Sequence, residues 1–262
     1  MEWLKHDERL YLQSVPMTEC GGIVHGFTCK SGGVSTGKIT GLNLGFRVED
    51  DPASVLENYR LVAEDLGFPM ESAVLARQTH TDNIRLVTKA DAGKGLVRES
   101  DIFDTDGLMT EEKGIPLVVF TADCVPILLY DPRHPAVAAI HAGWRGTEQK
   151  IGGKAVRMMQ ERFGSKPEDI LVAIGPSIGL CHFAFGEDAP EHFSMEFCKP
   201  NPAGGYWVDL WAMNKKQLLS QGILEEHIDI AEICTVCHED VFYSYRTHRE
   251  HTGRQAAIII LK

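Results

Sequence analysis

Three short stretches of the chain carry side chains that suit a soft transition metal. They are Arg77-Gln78-Thr79-His80, Thr121-Ala122-Asp123-Cys124-Val125-Pro126 and His141-Ala142-Gly143-Trp144-Arg145-Gly146. Two imidazoles and one thiolate make a three-ligand set that leaves a fourth position on zinc open to water or substrate. That is the pattern of catalytic zinc, whereas structural zinc takes four protein ligands. Asp123 directly precedes Cys124 and is suited either to orient a ligand histidine or to carry a proton. Trp144 and Arg145 offer a flat face and a planar cation, which suit a heteroaromatic base and a phosphate. Each residue also has a plainer reading. Cysteine is among the most buried residue types, so Cys124 between apolar runs is by default a core thiol. The ligand spacing matches no local metal motif.

Ligands so far apart along the chain need rigid elements to bring them together. Apolar runs over 117–120, 127–130 and 136–140, bounded by Pro, Asp and Gly, read as strands buried on both faces. Cys124 then follows one strand, and His141 ends the next but one, positions that a packed sheet holds firmly. Asp51 and Pro52 open a helix whose stripe is Val55, Tyr59, Val62, Ala63 and Leu66, and Gly67 stops it. The spacing predicts a second helix over 149–163 with Ile151, Ala155, Met158, Met159 and Phe163 inward, weakened at its start by Gly152-Gly153. A strand over 170–174 ends in the turn Gly175-Pro176-Ser177. A helix over 212–221 and strands over 230–234 and 256–261 complete the pattern. The glycine-dense segment 32–45 reads as loops and turns. Strands do not alternate strictly with helices, which favours α+β layers with a mixed sheet over a doubly wound fold. No linker or repeat divides the chain, so one domain over 1–262 is expected.

The chain has 262 residues and a net charge of −11, with a pI near 5.4. This argues against general binding to nucleic acid or an anionic membrane, both of which reward positive charge. The N-terminus lacks the apolar core of a secretory signal, and no run reaches the length of a membrane span. Seven cysteines without an export signal are expected to be reduced, and the protein cytosolic.

Beyond the three metal-suited stretches, the chain carries His25-Gly26-Phe27-Thr28, Gly32-Gly33-Val34-Ser35, Leu42-Asn43-Leu44-Gly45, Ile174-Gly175-Pro176-Ser177-Ile178-Gly179 and Ser244-Tyr245-Arg246. Together and in this order these segments resemble the YfiH/YlmD-type laccase-domain family. Its members were formerly called multicopper polyphenol oxidases and are now read as purine nucleoside phosphorylases. The likeness runs from about residue 20 to the end. It implies an α+β sandwich, a single-domain layered arrangement of mixed β-sheets flanked by helices. It implies His80, Cys124 and His141 as zinc ligands, with copper also suited to them. The implied reactions are phosphorolysis of adenosine, inosine and methylthioadenosine to free base and pentose 1-phosphate, together with adenosine deamination. Purine nucleosides and inorganic phosphate are then the partners. On this reading Arg145, or else Arg47 or Arg60, neutralises phosphate, and Asn43 and Gln78 read base or ribose edges through their amides. Zinc lowers the pKa of a bound water to about 7, which makes it able to attack the purine C6. Without the resemblance, Asn43 reads equally as a turn residue and Gln78 as an exposed strand position. Arg246 and Arg254 suit a phosphate or simple packing. The chain departs from the family pattern at Cys29-Lys30-Ser31, where Thr-Arg is common, and at Ala184, where an acidic residue is usual.

Several other signals carry less. Cys234-Thr235-Val236-Cys237-His238 fits a c-type haem attachment pattern, but that chemistry requires export, so Cys234 reads as a structural thiol on a strand. Gly32 to Ile39 nearly spells a phosphate-binding loop, yet Ile39 replaces the hydroxyl that magnesium needs. A cysteine hydrolase or amidase using Cys124 and His141 is chemically sufficient. A copper phenol oxidase fits less well, because multicopper centres need His-x-His pairs and the chain has none. A non-catalytic binding partner is the remaining alternative.

Overall fold

The computed structural model describes residues 1–262. Two six-stranded sheets lie face to face. The first runs in the order Glu2–His6, Arg9–Gln13, Ile23–Thr28, Gln255–Leu261, Leu117–Thr121, Val74–Leu75. It is antiparallel except where Val74–Leu75 joins Leu117–Thr121. The second runs Ile228–Ile230, Leu171–Ile174, Val125–Asp131, Ala136–Ala142, Gly107–Thr110, Ile84–Leu86, with its two outermost pairings parallel. A small antiparallel sheet of Ala184–Phe185, Tyr206–Val208 and Cys198–Pro200 packs at one side. The fold is α+β with mixed sheets. No helix is long and apolar enough to cross a membrane.

The apolar runs are continuous because both faces of each central strand are covered. Along Gln255–Leu261, Ala257, Ile259 and Leu261 face the second sheet, while Ala256, Ile258 and Ile260 face outward. There they meet Val55, Tyr59, Val62, Ala63 and Leu66 of the helix Pro52–Leu66. The second sheet mirrors this arrangement. Val137 and Ala139 point between the sheets, and Ala136, Ala138 and Ile140 pack on Ile151, Ala155 and Met159 of the helix Ile151–Phe163. The result is helix, sheet, sheet, helix, with period-two alternation splitting each strand between two cores. Each fully buried Ile or Leu contributes about 1.5–3 kcal/mol.

The helix Pro52–Leu66 begins where expected. Asp51 accepts from the Ala53 and Ser54 backbone N–H groups, and Gly67 closes the helix in the left-handed region at φ 69°. Such a cap contributes about 1 kcal/mol. The helix expected over 149–163 is in fact two. Trp144–Glu148 ends at Gln149, Lys150 adopts φ 62°, and Ile151–Phe163 follows. The predicted strand over 230–234 also shifts: Ile228–Ile230 is the strand, and Cys234 makes only an isolated bridge with Ser177.

Candidate metal centre

Two connections pass from one sheet to the other at the same end of the sandwich. Residues 122–124 link Leu117–Thr121 of the first sheet to Val125–Asp131 of the second, and residues 76–83 link Val74–Leu75 to Ile84–Leu86. Cys124 lies on the first crossing and His80 on the second. His141 lies near the end of Ala136–Ala142, paired with Pro126. Both crossings bend through non-glycine residues at positive φ, Asp123 at 84° and His80 at 66°. Such a conformation persists only where surrounding contacts hold it.

At the His80 crossing those contacts come chiefly from Asp106, which is fully buried and sits just before the strand Gly107–Thr110. Its carboxylate accepts from the backbone N–H groups of Thr79, His80 and Thr81 at 3.2, 3.0 and 2.8 Å, and from Thr81 Oγ1 at 2.8 Å. It also accepts from His141 Nδ1 at 2.7 Å. Burial pushes the Asp106 carboxyl up, but these bonds, led by that of His141, outweigh it and hold the group at about 2. An ionised carboxylate only accepts, so Nδ1 of His141 carries a hydrogen and Nε2 is the nitrogen that would meet a metal, giving up its own proton to do so.

Cys124 Sγ lies 3.7 Å from His80 Nε2, and ligand atoms of His80, Cys124 and His141 all lie within 4.8 Å of one another. The His80 and His141 rings meet edge to face at 4.9 Å. Around a tetrahedral zinc with ordinary bond lengths, sulfur and nitrogen ligands sit about 3.5 Å apart, so the donor set fits such an ion. Burial pushes the Cys124 thiol up, yet the charge and hydrogen bond of His141, joined by His80, bring it down to about 6. Burial pushes His141 down, and the Cys124 charge with the Asp106 bond raises it to about 9. The pair therefore has thiolate and imidazolium character. Gly143 leaves room for the three side chains: a Cβ there would lie 2.7 Å from His80 Cδ2 and 3.3 Å from Cys124 Sγ.

His80, Cys124 and His141 open onto a cavity of about 500 Å³ whose walls include Phe46, Arg47, Arg77, Phe103, Tyr245 and Arg254. Arg47 meets no compensating carboxylate; burial and then the nearby Arg77 charge push its guanidinium down. Phe46, Phe103 and Tyr245 leave 36%, 55% and 45% of their surface exposed, so flat apolar faces surround the charges.

The other sequence-derived candidates fall in different places. Gln78 lines the cavity, but its amide is spent on the Phe120 backbone, donating to O at 2.8 Å and accepting from N at 2.7 Å. Asn43 is fully buried. Its amide donates to Gly45 O and Asp50 Oδ2 and accepts from the Gly45 and Arg254 backbone N–H groups. It braces Arg254 and has no donor left for a ligand. Asp123 is turned from the ligands: Thr235 Oγ1 and the Arg246 N–H donate to its two oxygens, each at 2.6 Å. Arg60 lies on the outer face of Pro52–Leu66, exposed and paired with Glu57 at 2.8 Å and Glu64 at 3.1 Å. Arg145 stacks on Trp144 at 4.1 Å, and Trp144 packs edge-on against Phe185 of the small sheet. Neither Arg60 nor Arg145 lines the cavity. Sequence reasoning missed Asp106 altogether. Thr105-Asp106-Gly107 reads as an ordinary turn, and its partner becomes apparent only once Gly107–Thr110 pairs with Ala136–Ala142.

A profile of the family described as multi-copper polyphenol oxidoreductase laccase matches residues 24–262. Purine nucleoside phosphorylase YlmD of Geobacillus stearothermophilus is 40% identical over 247 residues, covering 91% of this chain and 90% of that one. The crystal structure of YlmD from that organism superposes with a TM-score of 0.91 over 99% of this chain and 98% of that one, at 37% identity. The crystal structure of hypothetical protein YfiH from Bacillus licheniformis superposes with a TM-score of 0.92 over 99% of both chains, at 32% identity.

Proposed function

The chain belongs to the multi-copper polyphenol oxidoreductase laccase family, and from that premise we propose that it is a purine nucleoside phosphorylase. Its substrates are adenosine, inosine or methylthioadenosine, its metal is zinc on His80, Cys124 and His141, and adenosine deamination is a second activity. One observation carries the reading: the three ligands open onto the same cavity as three guanidinium groups and three exposed aromatic rings. The 40% identical relative bears the phosphorylase name.

In phosphorolysis a phosphate oxygen bonds to the anomeric carbon as the glycosidic carbon–nitrogen bond breaks. The electron pair leaves with the purine, which takes up one proton. The nucleophile must therefore be held as an anion while the base is kept in a fixed plane. Arg47, Arg77 and Arg254 supply the positive charge in a partly desolvated cavity, where such contacts are strong. Phe46, Phe103 and Tyr245 offer faces for the base and the sugar. Asn43 positions Arg254, Gln78 ties the His80 connection to Phe120, and Asp106 fixes the His141 ring. Asp123 braces the turn beside Cys124. His80, Cys124 and His141 would hold a metal whose contribution, when bound, would be Lewis acidity toward a substrate or water oxygen.

The charge state of Cys124 and His141 favours one rival, acyl transfer by Cys124 with His141 as its base. That chemistry has no use for His80 at 3.7 Å from the sulfur. The test is phosphate-dependent release of free purine from a nucleoside panel, with metal quantified on the same preparation. Cys124→Ala is expected to lose both base release and the metal of this site. Base release that persists after chelation, or no release by the wild-type protein, would overturn the proposal.

A further inference from the structure

A second group of soft ligands lies outside this cavity. Cys181, His182, Cys234 and Cys237 each offer one ligand atom, and all four atoms lie within 4.8 Å of one another. His182 Nδ1 is 3.3 Å from Cys181 Sγ, 3.7 Å from Cys234 Sγ and 3.4 Å from Cys237 Sγ. Cys181 Sγ and Cys237 Sγ are 3.6 Å apart, and all seven cysteines are free. Around a tetrahedral zinc the expected separations are about 3.8 Å between sulfurs and about 3.5 Å between nitrogen and sulfur. The cluster has the dimensions of a filled coordination shell.

We propose that Cys181, His182, Cys234 and Cys237 form a second, closed, structural zinc site. Four protein ligands leave no open position, in contrast to the triad, so the site holds chain rather than performing chemistry. Its backbone setting supports this. Cys234 and Cys237 form a Cys-x-x-Cys turn, and the Gly179 N–H donates to Cys234 Sγ at 3.3 Å, as expected for a sulfur carrying negative charge. The imidazole is His182, supplied from across the fold, and not the adjacent His238 that the haem-like pattern offers. Binding replaces three thiol protons by one metal ion, with no change of oxidation state.

The site would tie the loop after Leu171–Ile174 to a segment more than fifty residues onward, since Cys181 and Cys237 are 56 apart in sequence. Between its two cysteines, Thr235 donates to Asp123 at 2.6 Å, and Asp123 adjoins Cys124. The second site thereby steadies the turn that carries a ligand of the first.

Protein exchanged into zinc and desalted is expected to hold about two equivalents per chain. Cys124→Ala should retain about one, and the Cys181→Ser/Cys237→Ser double variant about one. Because the double variant loses two ligands and risks misfolding, Cys124→Ala is also loaded with cobalt. A thiolate-to-cobalt charge-transfer band must then come from the second cluster. A single equivalent that survives Cys124→Ala but not the double substitution keeps this site and removes the other. No metal and no band in Cys124→Ala would overturn the proposal. So would an unchanged metal count in the double variant, or a Cys181–Cys237 disulfide in the intact mass.

Discussion

At the scale of single residues, Asp106 has the largest job for its size. One carboxylate holds the His141 ring and three successive N–H groups of the His80 connection. Asp106→Asn keeps the volume but removes the charge, and it turns a donor toward groups that themselves donate. The expected outcome is metal affinity at the triad reduced about 10–100-fold and stability lowered by about 1–3 kcal/mol from donors left buried without acceptors. Competition with a chromophoric chelator and urea unfolding measure the two effects. Affinity equal to wild type would remove Asp106 from the ligand-orienting role. The residue was invisible in the sequence because its importance comes from a partner 35 positions away. Asn43 and Gln78 show the converse. Their chemistry suits a ligand, but hydrogen bonds to backbone brought in by the fold commit both amides to the chain.

At the scale of elements, the turn after Ala136–Ala142 is constrained by space and not by backbone angle. Gly143 has φ −60°, which any residue adopts, yet a Cβ would press on His80 and Cys124. Gly143→Ala is therefore expected to keep the fold and its thermal midpoint nearly unchanged while losing metal on dialysis, as measured by elemental analysis. Full metal retention would show that the ligands have room to yield. The central strands were legible because each is covered on two faces and so is apolar throughout, and Pro52–Leu66 was legible from its cap, its stripe and its terminal glycine. The pair Glu2–His6 and Arg9–Gln13 was not, since the first strand is largely exposed, with no apolar alternation, and its turn uses Asp7 at φ 51°. Lys150 at φ 62° likewise splits the expected helix where lysine gives no turn signal. The Cys-x-x-Cys segment misleads for a related reason: half of the ligand cluster comes from another loop.

At the scale of the whole molecule, His25 links acid sensitivity to the packing of both sheets. It is 2% exposed on Ile23–Thr28, and its Nε2 accepts from the Ser14 N–H at 2.9 Å. Burial holds its imidazole down to about 4, opposed in part by the charge of Asp229 on the second sheet's edge strand. An unfolded imidazole titrates near 6.5. Between those values the unfolded chain binds a proton that the folded chain excludes, so stability is full above about pH 6.5 and falls as pH drops. The loss reaches about 3 kcal/mol by pH 4. Urea midpoints of metal-stripped wild type and His25→Gln, compared at pH 7 and pH 4.5, should show a smaller acid loss in the variant. Parallel losses would place the sensitivity elsewhere.

The two crossings between sheets tie catalysis to thickness. His80 and Cys124 ride on separate bridges between the same two plates, so the gap an ion must span follows the distance between those plates. An ion held there would act as a rivet at one rim, and side chains such as Val119 and Leu128, midway between the plates, would set its bite without touching it. Metal bond lengths would then limit that filling as much as packing does.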